Sequence, residues 1–170
     1  MLLYKKNAPI TIVKGHFVKA TKIADALAIG PGWSYLAATT AGPNGTTVKD
    51  SVKLLWTGPP IIAKVSGPAA FNIPKGGSDG SWVFTVMDLY NHPMSARTTI
   101  TVSAAGGVAA GDAAVTLPDV QSGFMNFIVD LYHAEKVGGT NPPTASKLIV
   151  TVNHPVYGTY SLTLASGTMQ

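Results

Sequence analysis

The chain has 170 residues, of which 46% are apolar and only 12% charged, with a net charge of +4 and no cysteine. A chain with this much apolar content can fill a core, which argues against global disorder. The absence of cysteine excludes thiol catalysis, cysteine-bound metal centres and disulfides. The basic residues form no stripe of the kind that binds nucleic acid, and no apolar run is long enough to span a membrane as a helix.

The first third of the chain predicts a small β unit over residues 1–57. Runs rich in β-branched and aromatic residues alternate there with turn sequences that contain glycine and proline. The predicted strands are ITIVKGHFVKATKI (10–23), WSYLAATT (33–40) and TVKDSVKLLW (47–56), with turns at GPG (30–32) and GPNG (42–45). KATKIADALAIG (19–30) could instead hold one short helical turn. The unit is short for an independent sandwich, so it is either incomplete or completed by a partner.

The sequence TGPP (57–60) marks a boundary between two domains. Pro59 and Pro60 have no N–H to donate to a β-ladder, and consecutive prolines stiffen a linker. We therefore expect a second domain to cover residues 58–170.

Seven segments of this second part alternate apolar and polar residues with the period of a β-strand. They are IIAKVSG (61–67), SWVFTVMD (81–88), TTITVSA (98–104), AAVTLPD (113–119), FMNFIVDLYH (124–133), SKLIVTVNH (146–154) and GTYSLTLAS (158–166). Their inward positions predict a core that includes Trp82, Phe84, Val86, Phe127, Val129, Val150 and Leu162. This number and spacing of strands predicts an all-β fold, an immunoglobulin-like antiparallel β-sandwich preceded by the smaller unit.

The polar residues that could carry chemistry stand at strand ends or in loops. Nothing in the sequence pairs two of the aspartates across a substrate, as two-carboxylate catalysis requires, and aspartates in such positions usually cap turns. The candidate aspartates are Asp88, Asp112, Asp119 and Asp130, and the four histidines are His16, His92, His133 and His154. The histidines share no metal-ligand spacing, so turn or surface positions are expected for them. The sequence therefore predicts no catalytic residue and no enzyme.

Calcium is the metal best suited to the loop oxygens of this chain. The weak candidates are Asp88 with Asn91, and Asp79 in GGSDG (76–80), although neither segment resembles an EF-hand loop. The favoured interpretation of DLYNHP (88–93) is a structural turn, in which Asp88 and Asn91 hydrogen-bond the backbone and Pro93 stiffens the exit. We therefore expect no cofactor.

Six aromatic residues could form a platform on which carbohydrate stacks, if several of them were coplanar and exposed. They are Trp33, Tyr35, Trp56, Trp82, Tyr90 and Tyr132. Most stand in phase with core positions, so core packing is favoured over a carbohydrate-binding module.

Residues 55–102, LWTGPPIIAKVSGPAAFNIPKGGSDGSWVFTVMDLYNHPMSARTTITV, resemble the bacterial immunoglobulin-like repeats of surface adhesins and other exported multidomain proteins. Val86, Asp88, Asn91 and Pro93 fit the strand-and-turn pattern of those repeats. The sequence departs from it at His92, where a plain Asn–Pro or Gly–Asn–Pro would be usual, and at Leu89–Tyr90, where the repeats have small residues. The resemblance extends over residues 59–168 and implies a spacer, adhesion or assembly module without a catalytic site.

These observations together favour a non-enzymatic, extracellular or surface-exposed structural protein. We expect it to pack against copies of itself or neighbouring immunoglobulin-like modules, with unpaired sheet edges accepting a strand and so building a filament or surface array. Two alternatives stay open. A phage virion surface or tail protein would need no signal peptide, and MLLYKKNAP lacks the apolar segment of one. A carbohydrate-binding module would need exposed aromatic residues.

Overall fold

The computed structural model describes residues 32–41, 45–118 and 124–170, and its regular elements are eleven strands. The prediction of an all-β fold is therefore confirmed. The strand predicted over residues 10–23, the alternative helical turn over 19–30, and the side chains of His16 and Asp119 lie outside the described residues. The chain divides into two compact units, Met1–Trp56 and Thr57–Gln170.

The described part of the first unit is a long β-hairpin. Strand β1 (Gly32–Ala41) pairs antiparallel with β2 (Thr47–Trp56), from Gly32 opposite Trp56 to Ala41 opposite Thr47. Gly45, in the connection, has a φ of 75°, a left-handed conformation that glycine adopts without a steric penalty. Within the described residues, each of the two ten-residue strands pairs only with the other.

The second unit contains the strands β3 to β11, arranged in two sheets. They are β3 (Ile61–Ser66), β4 (Ala70–Ile73), β5 (Ser78–Met87), β6 (Thr99–Ser103), β7 (Gly107–Gly111), β8 (Ala114–Thr116), β9 (Asn126–His133), β10 (Thr144–His154) and β11 (Gly158–Met169). The sheet orders are β3-β5-β9-β7 and β4-β11-β10-β6-β8. Strands β4 and β7 are short and were not among the seven that the sequence predicts.

The strand order of the second unit is that of an immunoglobulin-like sandwich. If β3, β5, β6, β7, β9, β10 and β11 are lettered A to G in chain order, the first sheet reads A-B-E-D and the centre of the second reads G-F-C. Strand β8 extends the second sheet beside β6, and β4 extends it by pairing parallel with β11. The other strand pairs of the unit are antiparallel.

The core lies between the two sheets and is formed by alternate residues of the facing strands. Trp82, Phe84 and Val86 of β5 are fully buried. Phe84 stacks on Phe127 of β9 with ring centroids 5.5 Å apart. Phe71 and Trp82 pack edge to face, with ring centroids 6.2 Å apart. Of the other residues assigned to the core from the sequence, Val129 and Val150 are also buried.

Leu162 departs from the prediction, because it is only partly buried and packs against the margin of the core. The register between β10 and β11 shifts between Leu148 and Ile149, so that Leu148 faces Ala165 while Ile149 faces Thr163. This β-bulge leaves Leu164 without a direct partner and changes the phase of the strand. Leu164 and the next residue, Ala165, are both buried at this bulge, whereas Leu162 precedes it and stands opposite Val150.

The chain enters the sandwich at one end and leaves it at the other. Thr57 and Gly58 contact residues at the ends of β10 and β5, respectively, since they hydrogen-bond His154 and Asp88. Strand β11 starts opposite His154 and runs the length of the sheet until Gln170 N–H donates to the carbonyl of Ile73. Its twelve residues span about 40 Å.

Candidate functional site

The Asp88 turn, residues 88–93, contains the polar group that the sequence analysis singled out. Asp88 is 1% exposed, and its two carboxylate oxygens accept four hydrogen bonds. Oδ1 accepts the backbone N–H groups of Tyr90 (2.8 Å) and His92 (2.9 Å). Oδ2 accepts the N–H of Gly58 (3.1 Å) and lies 3.2 Å from Nδ1 of His92. An ionised carboxylate can only accept, so Nδ1 of His92 is the donor.

Two backbone hydrogen bonds also hold the turn. The N–H of Asp88 donates to the carbonyl of His92 at 3.0 Å, and the N–H of Asn91 donates to the carbonyl of Asp88 at 3.1 Å. Asn91 has a φ of 60°, in the left-handed region that asparagine tolerates better than most residues. Pro93 forms an isolated bridge with Met87. Asn91 therefore stabilises the turn through its backbone conformation, and Asp88 stabilises it through its side chain.

The hydrogen bonds to Asp88 favour its charged form. Burial would raise the pKa of Asp88, but the backbone N–H groups of His92, Gly58 and Tyr90 and the ring of His92 hold it below the ordinary value. A cation could reach these oxygens only by displacing an N–H group. Within the described ranges, no three His, Asp or Glu side chains group so that they could hold a metal ion. The arrangement suits a structural turn.

The other calcium candidate, Asp79, is at the opposite end of the same strand. Asp79 is the second residue of β5 and Asp88 follows its last, so about 30 Å separates the two carboxylates. Oδ1 of Asp79 accepts the N–H of the next residue, Gly80, at 2.9 Å. The two candidates therefore cannot share a cation.

His154 is a buried residue at the end of β10, and its ring links the entry segment at Thr57 to the loop at Ser95. Its Nδ1 accepts the N–H groups of Val156 (3.1 Å) and Tyr157 (3.2 Å), which places the ring hydrogen on Nε2. Nε2 lies 3.0 Å from the Ser95 hydroxyl and 3.3 Å from that of Thr57. Burial lowers the pKa of His154, so the neutral ring is favoured.

The sequence predicts a turn or surface position for His154, but the structure buries this residue. The signal was present in SKLIVTVNH, because the alternation that places Leu148, Val150 and Val152 inward continues to His154. His133 does have a turn role, since its Nδ1 accepts the N–H of Glu135 at 2.9 Å.

The side chains of Trp33, Tyr35 and Trp56 lie outside what the structure describes, and the other three candidates for a carbohydrate platform, Trp82, Tyr90 and Tyr132, do not share one surface. Trp82 is fully buried, with its indole N–H donating to the carbonyl of Pro68 at 2.9 Å. Tyr90 lies in the Asp88 turn, beyond the end of β5, whereas Tyr132 pairs with Ser78 at the start of that strand. The ten residues of β5, about 33 Å of strand, therefore lie between the two exposed tyrosines.

The outermost strands of the two sheets are poorly suited to accepting a strand, although β4 covers the outer side of β11 only from Ser166 to Met169. The four edge strands, β3, β4, β7 and β8, contain six, four, five and three residues. In β3 the register shifts between Lys64 and Ser66, and Nζ of Lys64 donates to the carbonyls of Pro68 (2.7 Å) and Leu164 (2.9 Å). Short strands, bulges and inward-turned lysines all oppose edge-to-edge pairing.

The outer faces of the two sheets differ in chemistry. The hydroxyl face, on the second sheet, presents short neutral side chains in rows across the strands: Thr116, Thr99, Asn153 and Thr159, then Ala114, Thr101, Thr151 and Ser161. The hydroxyls of Thr151 and Ser161 lie 3.3 Å apart. A shallow depression of about 450 Å³ borders this face, lined by Ser103, Lys147, Ile149 and Ser166 among others. The outer face of the first sheet is more apolar, with Ile128 and Val108 exposed.

Comparison with known proteins gives remote structural similarity only. No protein-family model matches the sequence, and no curated protein matches it. Two solved structures resemble the fold: "Crystal structure of the S-layer protein SbsC domains 4 and 5" (TM-score 0.34, 10% identity) and "Crystal structure of the S-layer protein rSbsC(31-844)" (TM-score 0.33, 9% identity). Both matches cover 82% of this chain, and they span 58% and 16% of those chains. Similarity at this level carries no argument about function.

The described part of the chain contains no helix that could cross a lipid bilayer.

Proposed function

We propose that this chain is a non-enzymatic structural module of an extracellular or cell-surface assembly. In this proposal the sandwich acts as a rigid spacer, and the β1–β2 hairpin accepts a strand from a neighbouring chain. The observation that carries the proposal is the contrast between the ten-residue strands of the hairpin and the shorter outermost strands of the sandwich.

The hairpin has the properties of a strand acceptor. An isolated two-stranded ribbon is marginally stable in water, because it has too little sheet to bury an apolar face. Each of its strands has ten residues, and within the described residues each is hydrogen-bonded along one side only. A third strand from another chain would pair with this open side and stabilise the ribbon.

The path of the chain through the sandwich supports the role of spacer. The chain enters beside the Asp88 turn and leaves at the far end of β11, about 40 Å away. Modules joined in this way follow one another along a line, so an added module lengthens the assembly. The hydrogen bonds of His154 to Thr57 and of Asp88 to Gly58 fix the entry segment to the sandwich.

Negative-stain electron microscopy of the purified full-length chain tests strand acceptance, together with the single variants Ser51→Pro and Val52→Pro. Adjacent residues of an antiparallel strand point their N–H groups to opposite sides, so one variant interrupts the hairpin and the other alters only its open side. We expect open-ended filaments from the wild-type chain and none from either variant. A wild-type chain that stays monomeric at high concentration would refute strand acceptance.

A further inference from the structure

Strand β11 has no partner strand along part of its outer side. It begins at Gly158, but β4 pairs with it only from Ser166 to Met169. Just before that contact, the carbonyl of Leu164 accepts a hydrogen bond from Nζ of Lys64 at 2.9 Å. Within the described residues, positions 159–163 therefore form an open edge about 17 Å long, which we call the β11 edge.

The backbone groups that point to this open side belong to Thr159, Ser161 and Thr163. Beyond the β-bulge, Ser166 is exposed on the outer face, and its N–H points away from β10 to the carbonyl of Ala69 at 3.2 Å. Along one strand, the face of a side chain and the side of its backbone N–H alternate together. The three exposed residues of the β11 edge follow the same relation as Ser166. Each of them therefore presents an N–H and a C=O to the open side.

The β11 edge lacks the features that blunt the outermost strands. Its sequence, TYSLT, contains no charged residue and no proline. Its register against β10 runs without a shift from Gly158 to Thr163, since the bulge comes after this stretch. Lys64 bonds the chain at Leu164, just outside the edge. Nothing within the edge itself opposes pairing with another strand.

Two side chains on the inner face of the edge are incompletely covered. Tyr160 and Leu162 are only half-buried, although Val152 and Val150, which stand opposite them on β10, are fully buried. Strand β10 has a neighbouring strand on both sides, whereas β11 has one on a single side here. One more strand along the β11 edge would cover both side chains.

An identical edge matches these features when it runs antiparallel, with a two-fold axis at Ser161. Ser161 then faces its own copy, and Thr159 faces Thr163 of the second copy. All of these are hydrogen-bonded pairs, each exchanging two bonds, so the contact contains about six hydrogen bonds. Between them, Tyr160 faces Leu162 of the second copy in the closer, non-hydrogen-bonded positions. Any other register leaves at least one of the open-side residues unpaired.

We infer that the β11 edge pairs antiparallel with the β11 edge of a second copy of this chain, so that one sheet continues across a two-fold dimer. Isologous contacts of this kind are the most common way in which identical chains associate. The inference goes beyond strand acceptance by the hairpin, because it uses neither β1 nor β2 and closes on itself. A contact of five residues per chain belongs to the small, reversible class of interfaces.

Cysteine cross-linking tests the two-fold position, because the chain has no cysteine of its own. Opposite residues of a hydrogen-bonded pair have Cα atoms about 5.5 Å apart, a distance that a disulfide spans. The full-length Ser161→Cys variant, treated with oxidised glutathione, should therefore give a covalent dimer on a non-reducing gel. Thr101→Cys is the matched control and should stay monomeric, since Thr101 is exposed on the same hydroxyl face but on an inner strand.

Two further cysteine variants test the register. Thr159→Cys and Thr163→Cys should each stay largely monomeric alone, because the two copies of either residue lie about 13 Å apart along the strand. An equimolar mixture of the two variants should cross-link. The dimer is overturned if Ser161→Cys gives no more cross-linked product than Thr101→Cys. It is also overturned if Thr159→Cys alone cross-links as much as the mixture does.

Sedimentation equilibrium measures the reversible association and separates backbone from side-chain effects. Ser161→Pro removes the N–H at the two-fold axis and leaves the hydrogen bonds to β10, whereas Ser161→Ala keeps that N–H. We expect the dissociation constant to rise at least about tenfold for Ser161→Pro and to stay unchanged for Ser161→Ala. An equal effect of both substitutions contradicts backbone pairing. If Ser161→Pro fails to fold by circular dichroism, the cross-linking variants still decide the question.

The hairpin variants keep this contact separate from strand acceptance. Ser51→Pro and Val52→Pro should abolish open-ended filaments and leave the Ser161→Cys cross-link intact. Ser161→Pro should do the reverse. Loss of the cross-link in both hairpin variants would overturn the β11 dimer as an independent contact.

Discussion

Replacing Asp88 by alanine should destabilise the sandwich without removing any chemical activity. The substitution deletes the acceptor of four hydrogen bonds, three of them from backbone N–H groups. The N–H of Gly58 is buried and has no access to water in its place, whereas those of Tyr90 and His92 are in a partly exposed turn. Hydrogen bonds to a charged group contribute about 1.5–3 kcal/mol each, less where water can replace them. We therefore expect a loss of about 3 kcal/mol in the free energy of unfolding.

Urea denaturation followed by tryptophan fluorescence measures this loss, because Trp82 is buried in the core of the same unit. Asp88→Asn keeps Oδ1 as an acceptor and loses the hydrogen bond to Gly58. Its free energy of unfolding should therefore lie between those of the wild type and Asp88→Ala. Asp79→Ala is the control at the other end of β5, and since Asp79 accepts only the adjacent N–H of Gly80, a change below about 0.5 kcal/mol is expected.

Two results would refute this reasoning. If Asp88→Ala unfolds at the same urea concentration as Asp79→Ala, the turn does not depend on the carboxylate. If calcium stabilises the wild type but not Asp88→Ala, the carboxylate binds a cation, contrary to its saturated hydrogen bonding.

Three further predictions concern acid, a close backbone contact and the sheet edge. Folding lowers the pKa of both His154 and Asp88, so the unfolded chain binds protons first as the pH falls. The free energy of unfolding should therefore decline below about pH 6.5, because of His154, and again below about pH 3.8, because of Asp88. In urea melts at a series of pH values, His154→Gln should remove the first decline. Gly167→Ala places a methyl group on the backbone oxygen of Phe71 and should lower stability by about 1–3 kcal/mol in urea melts, whereas Gly80→Ala, whose nearest neighbour is 3.5 Å away, should be tolerated. Lys64→Val removes the inward-turned lysine from edge strand β3 and should increase aggregation measured by light scattering; unchanged scattering would show that the bulge and short length alone protect this edge.

The alternation of apolar and polar residues along the sequence predicts most of the fold. Strand β2 has the same limits as the predicted segment TVKDSVKLLW, and the prediction of Trp82, Phe84 and Val86 on one face agrees with their burial. Period-two patterning is a local property, since a strand that buries one face must repeat its apolar residues at every second position. The same rule, extended by one position, would have placed His154 inside.

The sequence by itself therefore determined the fold class, the positions of the main strands, most of the core and the turn at Asp88. Only the tertiary structure decided which segments pair across the sheets: the parallel contact of β4 with β11, the bulge that buries the consecutive residues Leu164 and Ala165, and the bond from Gly58 to a carboxylate thirty residues later. It also decided which outward residues stand side by side, so that Val83 lies opposite Ile128 and Tyr132 opposite Val108. These features depend on strand register, which is set by contacts between residues far apart in the chain and leaves no local pattern in the sequence.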